Sequence, residues 1–314
     1  MSASRGSGIL RLSHADVRVP DLELALAYYS EVVGLIITAY DGQRAYLKAW
    51  DEQQHHSLVL TRADTYGLNS LAFKVAEADE LDRLASRVDA VGISVERYQP
   101  GELGIGSGPT VRFVGPSGHT IDLEHGMLQV GNGLSLINPP PAPDNLVGMH
   151  PPRIDHIFLL CEDVDGSTRF FQDTLEFRLT EQIVADDGHQ LATFLERTHT
   201  PHDIAFLTGP DGGFHHLAYW VDEWNESPHC RRHLRVPRGD HRCRPHSPRR
   251  HAGLWPVLLR SRRQPQRGVH GRVSVRPRRC ADHVDRSGDG AGDLHVQRSS
   301  RPELHDGALM TGHS

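Results

Sequence analysis

The chain has 314 residues, enough for two domains of ordinary size, and a formal net charge of −6 at pH 7. It has no stretch close to the ~20 apolar residues of a membrane span, and its four cysteines suggest no disulfide framework. These features argue against a membrane protein and a disulfide-stapled secreted scaffold, and they indicate a cytoplasmic protein.

The first half of the chain predicts strands and helices in a repeating order. From His14, "HADVRV" alternates polar and apolar residues as a strand does, and from Asp21 apolar residues recur at helical spacing. The segments "AYLKAW" and "HSLVL" follow as strands. From Leu71 the same order returns in "LAFKV", "ADELDRLASRV", "ISVERY", "TVRFV" and "TIDLE". The sequence therefore predicts two βαβββ modules in a first domain, residues 1–137.

A proline-rich segment, residues 138–152, reads as a linker, and the plan begins again after it. "DHIFLLCEDVDGSTRFFQDTLEF" repeats the opening strand and helix, and "HDIAFL" and "HHLAYWVDEW" repeat later strands. We therefore predict an α+β fold with two domains of two βαβββ modules each. The second domain covers residues 153–226 and its last module is disrupted.

Two histidines stand at corresponding positions of this repeat. His156 and His216 each lie near the start of the first strand of a module, so their side chains should face one concave sheet. A single buried histidine is more often a core residue, but two in register favour a metal site between the modules. The first domain has His14 but Ser70 in place of the second histidine, so we expect it to keep the fold without the metal.

Several motifs in order make the resemblance specific. Over about residues 8–226, the segments "YLKAWDE", "FKVAEADELDRL", "YQPGEL", "VRFVGPSGH", "RIDHIFL", "HTPHDIAF" and "FHHLAYWVDEW" resemble the type I extradiol dioxygenases of the vicinal-oxygen-chelate superfamily, in particular the catechol 2,3-dioxygenases. The resemblance implies a fold of duplicated βαβββ modules, like the one that the repeat predicts.

The resemblance also implies a cofactor and site residues. Members of this family hold Fe(II) with two histidines and a glutamate, the facial triad of non-haem oxygenases. His156 and His216 match the two histidine ligands, whereas His215 should point to the opposite face. His202 matches a histidine beside the metal that moves protons on substrate and oxygen, and the alternative is that it is only a solvated strand end.

The resemblance implies a reaction and an assembly as well. The expected substrates are catechol or a substituted catechol and O2, the expected product is 2-hydroxymuconic semialdehyde, and the family is typically a homotetramer. Two alternatives remain open at this point. One is a non-catalytic metal-binding or small-molecule-binding protein of the same superfamily. The other, which the sequence favours less, is a glyoxalase-like isomerase.

Residues 227–314 differ from the rest of the chain. They hold 19 arginines, ten histidines and one aromatic residue, and no lysine. The family expects a glutamate within an "FDPxGNRNEVF" stretch, which the printed chain lacks. However, Leu259–His270 can be written in codons that read FDPAGNRNEVF one base later, and Arg244–Arg249 then yields GPTRHG, another family motif. We interpret this region as out of frame, with the glutamate codon split between Arg267 and Gly268.

Other interpretations of the arginine-rich region are weaker. It could bind nucleic acid as a basic arm, but it lacks lysine and interleaved aromatic residues. It could hold zinc, but the spacing of its candidate ligands is not a standard one. Those candidates are Cys230, His233, His241 and Cys243. We expect no nucleic-acid or membrane partner, and we expect residues 229–300 to be disordered or loosely packed.

Overall fold

A computed structural model describes residues 8–197, 200–221, 257–261 and 295–298, the last two segments as backbone only. Within these residues, no helix is both long and apolar enough to cross a membrane. The secondary structure of the described residues is mixed, with fifteen strands in two sheets and three α-helices. The predicted α+β class is confirmed.

The first sheet contains both modules of the first domain. The first module consists of β1 (Ile9–Val19), α1 (Leu22–Ala27) continued by a π-helical turn (Tyr28–Val32), β2 (Ile36–Tyr40), β3 (Arg44–Lys48) and β4 (Leu58–Arg62). The second consists of β5 (Gly67–Val75), α2 (Ala78–Ala90), β6 (Glu96–Tyr98), β7 (Thr110–Val114) and β8 (Thr120–Glu124). The strand order β2-β3-β4-β1-β5-β8-β7-β6 joins the modules through their first strands, β1 and β5.

The second sheet repeats this plan. Its elements are β9 (Arg153–Cys161), α3 (Val164–Asp173), β10 (Arg178–Val184), β11 (Gln190–Glu196), β12 (Ile204–Thr208) and β13 (Gly213–Val221). The strand order is β14-β13-β9-β12-β11-β10-β15, so β9 and β13 stand where β1 and β5 stand in the first sheet. The predicted repeat of βαβββ modules is confirmed up to the first strand of the fourth module.

Local sequence explains how each leading helix begins. The carboxylate of Asp21 accepts a hydrogen bond from the backbone N–H of Leu24, and that of Asp163 accepts one from Gly166. A carboxylate at this position satisfies one of the N–H groups that the first turn leaves unpaired. The same cap in both modules fixes where the chain leaves the leading strand.

The two domains share one hydrophobic core. Phe73 of β5 contacts Phe171 and Phe177 of the second domain, with ring centroids 6.1 and 5.1 Å apart. At the edge of this contact, Arg83 of α2 donates two hydrogen bonds to the carboxylate of Glu176, at 2.8 and 3.3 Å. The second domain therefore packs against apolar residues of the first, and an ion pair lies at the edge of this interface.

The linker predicted over residues 138–152 has no helix or strand and runs back along the first module. Its last residues are anchored, because Met149 is buried and donates its N–H to the carbonyl of Val32 at 3.0 Å. Trp50 and Asp51 donate N–H groups to the carbonyls of Pro151 and Pro152. The linker thus delivers the chain to the start of β9 in a defined position.

Two short strands lie in the region that we expected to be loosely packed. β14 (Val257–Ser261) pairs in parallel with β13, and β15 (His295–Arg298) pairs antiparallel with β10. Free strand edges can pair with backbone of almost any sequence, so the prediction that residues 229–300 are disordered or loosely packed stays a prediction. The other residues of the range lie outside the described part of the chain.

Candidate metal centre

The centre lies where the first strands of the second domain's two modules meet. β13 pairs antiparallel with β9, with Leu217 opposite Ile157, and the register shifts next to His216. His156 and His216 thereby turn towards each other, and their Nε2 atoms are 3.2 Å apart. Both histidines are buried. This confirms the predicted proximity of the two side chains across the sheet.

Hydrogen bonds fix the orientation of the His156 ring. Its Nδ1 lies 2.8 Å from the Asp155 carboxylate, which can only accept, so Nδ1 carries the hydrogen. The Nε2 atom of His156 therefore presents a lone pair to His216. On the other side, Nδ1 of His216 lies 2.7 Å from Nδ1 of His215. If His216 donates there, two lone pairs face one point, and a cation between them would remove their repulsion.

The separation fits a shared metal ion. Two ligand nitrogens about 2.1 Å from one ion and about 90–110° apart stand about 3.0–3.4 Å from each other, and the observed 3.2 Å lies in that range. Burial, together with the neighbouring imidazoles of His156 and His215, lowers the pKa of His216 to about 3. His216 is therefore neutral at physiological pH, the form that binds a metal.

The other predicted site residue lies at the same centre. The ring of His202, two residues before β12, lies 4.2 Å from that of His156 and 5.0 Å from that of Phe194, measured between centroids. Phe158 lies between Phe194 and His216, at 5.9 and 5.2 Å. The structure thus brings together all three predicted histidines beside two aromatic rings, which can pack against a flat apolar ligand.

A third metal ligand is not found among the described residues. Within them, no group of three or more His, Cys, Asp or Glu side chains is arranged to hold a metal. The backbone register shows what stands in the expected place. In the first sheet Ala72 pairs with Asp122, and in the second Ala218 pairs with Leu258. The register position of Asp122 therefore holds no acidic residue in the second sheet of the printed chain.

The first domain has the corresponding residues in a different arrangement. Ser70 pairs with Asp16 as His216 pairs with Phe158, so Ser70 occupies the position of the second histidine. The Asp122 carboxylate is held by Arg112, which donates from Nε and Nη2 at 2.7 Å each. Arg112 was not predicted as a site residue, although its place opposite an acidic residue in the β7–β8 hairpin could have revealed it.

Asp155 was not predicted either. The only signal in the sequence was its position directly before His156, and that position argued against a contact, because neighbours in a strand usually point to opposite faces. The register shifts in the β9–β13 pair show that this part of the sheet is irregular. The contact of Asp155 with Nδ1 of His156 therefore had to come from the structure.

Comparisons with known proteins agree with this architecture. Residues 68–124 match the family described as "Catechol 2,3-dioxygenase-like N-terminal domain". Residues 153–235 match the "Glyoxalase/Bleomycin resistance protein/Dioxygenase superfamily". Each match falls on a different one of the two sheets.

Individual relatives narrow the comparison. A metapyrocatechase from Pseudomonas sp. (strain CF600) is 40% identical over 222 residues, which is 70% of this chain and 72% of the relative. The manganese-dependent 2,3-dihydroxybiphenyl 1,2-dioxygenase from Geobacillus genomosp. 3 is 27% identical over 68% of this chain and 69% of the relative. Among solved structures, the 2,3-dioxygenase LapB from Pseudomonas sp. KL28 aligns with a TM-score of 0.69 and 34% identity, covering 73% of this chain and 80% of that one.

Proposed function

Because the chain belongs to the extradiol dioxygenases of the vicinal-oxygen-chelate superfamily, with catechol 2,3-dioxygenases among its relatives, we propose that it is built to cleave the ring of catechol with O2 at a ferrous ion. The observation that carries the proposal is the buried His156–His216 pair with Nε2 atoms 3.2 Å apart. The product would be 2-hydroxymuconic semialdehyde. Both oxygen atoms of O2 enter that product, so the reaction needs no external reductant.

In this proposal each histidine has a separate task. His156 and His216 would hold the ion through Nε2, and the Asp155 carboxylate keeps the hydrogen of His156 on Nδ1. Bound Fe(II) would hold the diol and O2 side by side and supply the redox link between them. Phe158 and Phe194 would form an apolar wall for the substrate ring.

His202 would act on protons. Its ring contacts that of His156, which supports a position beside the substrate diol rather than at a solvated strand end. An imidazole there could accept a proton from a catechol hydroxyl and return it as the ring opens. His202 would thus be the catalytic residue of the site.

The identity of the metal rests on its donor set. Two imidazoles and one carboxylate suit Fe(II), and they also suit other divalent ions of the first transition row. One relative is named as manganese-dependent. We propose iron because the other relatives of the chain include metapyrocatechases, and we include manganese as a comparison in the test below.

We propose further that the third ligand is the glutamate of the shifted reading frame. In the stretch GNRNE of that frame the acidic residue follows the glycine by four positions, as Asp122 follows Gly118 in "GHTID". Asp122 pairs with Ala72 of β5 in the second module. The equivalent position of the fourth module is where the proposed site requires a carboxylate.

The test compares two chains, the printed one and the one corrected by a single base near the codons of residues 226–229. Each is loaded anaerobically with Fe(II) or Mn(II), and catechol and air are added while the yellow product is followed. We expect the corrected chain with Fe(II) to form product and the printed chain to form little or none. The carboxylate offsets the charge of the ion and helps to retain it, which two neutral imidazoles cannot do.

Two outcomes would contradict the proposal. If the printed chain forms product at the rate of the corrected one, another residue supplies the third ligand and the frame interpretation fails. If neither chain consumes O2 with catechol, the substrate assignment fails. We also propose a homotetramer in the cytoplasm, and sedimentation of the corrected chain tests the tetramer.

A further inference from the structure

The first domain holds a buried group of charged side chains that the proposed reaction does not use. Asp122 and Glu124 on β8, His14 on β1 and Ser70 on β5 line one small cavity together with Arg112 of β7. The cavity has a volume of about 30 Å³, room for one ion or water molecule. His14 and Ser70 are the counterparts of His156 and His216 in the repeated fold.

The guanidinium of Arg112 lies among these groups. It donates to both oxygens of Asp122 at 2.7 Å, and its Nη2 lies 3.5 Å from the Ser70 hydroxyl oxygen. It therefore bridges the carboxylate to the residue that replaces the second histidine. A metal bound in the second domain by the same scaffold would bridge the corresponding positions.

The electrostatics of this group require a cation. The Asp122 and Glu124 side chains are each only 2% exposed, and buried carboxylates are expensive unless a positive group accompanies them. The ring Nδ1 of His14 lies 3.5 Å from the Glu124 carboxylate, and the guanidinium of Arg112 forms an ion pair with Asp122. The two N–H groups that Arg112 donates to the two oxygens of Asp122 form the bidentate geometry in which a guanidinium binds a carboxylate.

We propose that the first domain contains a latent divalent-cation site whose place is filled by the side chain of Arg112. In the chain as it stands, the guanidinium neutralises Asp122 and excludes a metal. Removal of the guanidinium leaves Asp122 and His14 facing the cavity, and an imidazole at position 70 would complete a set of two histidines and one carboxylate. A cleft of about 890 Å³, lined in part by Asp16, Ser70 and Arg112, gives an ion access from solvent.

The experiment counts Co(II) bound per chain in the full-length printed protein by equilibrium dialysis and records the visible absorption of the ion. Four proteins are compared: the parent, Ser70→His, Arg112→Ala, and the double variant. We expect the double variant to bind one Co(II) more per chain than the parent, with a new absorption band. The single variant Ser70→His should bind no more than the parent, because Arg112 still occupies the site.

The controls make the result decisive. The count is a difference from the parent, so metal bound to the second domain or to the histidine-rich region cancels. A parent that binds no metal is the result expected for a chain without the third ligand, and it leaves this difference unaffected. If Ser70→His alone gains the ion, or if the folded double variant gains none, Arg112 does not fill a cation site.

A second measurement decides if the double variant does not fold. The single variant Arg112→Ala is melted with millimolar methylguanidinium chloride or with an equal concentration of sodium chloride. A free guanidinium ion should enter the vacated place and raise the melting temperature above that in sodium chloride. Equal melting temperatures in the two salts would overturn the proposal.

Discussion

The two domains use one scaffold for opposite electrostatic arrangements. In the first, burial alone would lower the pKa of His14, but the Glu124 carboxylate 3.5 Å from its Nδ1, with the charges of Asp122 and Asp16, outweighs burial and raises the pKa above 6.5. In the second, burial and neighbouring imidazoles lower the pKa of His216 to about 3. The first centre therefore favours a bound proton and a guanidinium, whereas the second keeps the imidazole of His216 neutral. The shared topology does not determine the function of each domain. The residues at a few register positions determine it.

The largest effect should come from matched substitutions at one register position in the two domains. In the frame-corrected chain, His216→Ala should reduce iron content and lower the rate of ring cleavage at least about 100-fold. Loss of a residue that only orients a metal ligand costs up to about 100-fold, and loss of the ligand itself should cost at least as much. Ser70→Ala, at the equivalent position of the first domain, should leave both unchanged. Iron analysis and the formation of yellow product measure this pair. Equal losses in both variants would show that the domains are not divided in this way.

The next contrast concerns the histidines that contact the leading ones. The ring centroids of His202 and His156 are 4.2 Å apart, and those of His56 and His14, at the corresponding positions of the first domain, are 4.7 Å apart. In the corrected chain His202→Gln should lower kcat about 100-fold with iron retained, the lower end of what proton transfer by a side chain contributes. His56→Gln should leave kcat near its original value. A His202→Gln variant that loses its iron instead would make His202 a metal-retaining group.

A smaller effect should appear in the pH dependence of metal-free protein. Because the pKa of His14 is raised, its contribution to stability is present below pH 6.5 and is lost as pH rises through its folded value. Because the pKa of His216 is lowered, the unfolded chain takes up a proton that the folded chain does not, and stability falls as pH drops from 6.5 towards 3.

Imidazole NMR of the printed chain, assigned with His14→Gln and His216→Gln, measures both titrations. Urea unfolding of the same variants at several pH values measures their effect on the free energy of unfolding. His14→Gln should flatten the pH dependence above 6.5, and His216→Gln should flatten it below. If the two imidazoles titrate together, the electrostatic contrast between the domains is wrong.

The smallest effect concerns the contact that joins the domains. Arg83 pairs with Glu176 across the interface, but its side chain is 37% exposed, so solvent weakens the pair. Arg83→Ala should lower the free energy of unfolding by about 0.5 kcal/mol. Arg97→Ala, which removes an ion pair with Asp82 within the first domain at a more exposed position, should change it less. A loss of several kcal/mol in Arg83→Ala would indicate that the second domain depends on this ion pair for folding.

The sequence by itself determined the modules and the residues that could do chemistry. Alternating and helical periodicities are local, and so are the caps at Asp21 and Asp163, so each element could be predicted where it lies. Repetition of the pattern aligned His156 with His14 and identified Ser70 as the difference. These inferences need only neighbours in the chain and a comparison of the chain with itself.

Only the tertiary structure decided how those residues meet. The 3.2 Å between His156 and His216 depends on the register of β9 with β13, which joins residues 60 positions apart and contains bulges. The pairing of Arg112 with Asp122 likewise depends on the hairpin register, which a one-residue slip would reverse. Long-range backbone pairing sets these distances, and a strand edge can pair with the backbone of a segment such as Val257–Ser261. For this reason His156 and His216 could be proposed as ligands from the sequence, whereas their distance and the contact of Arg112 with Asp122 could not be predicted.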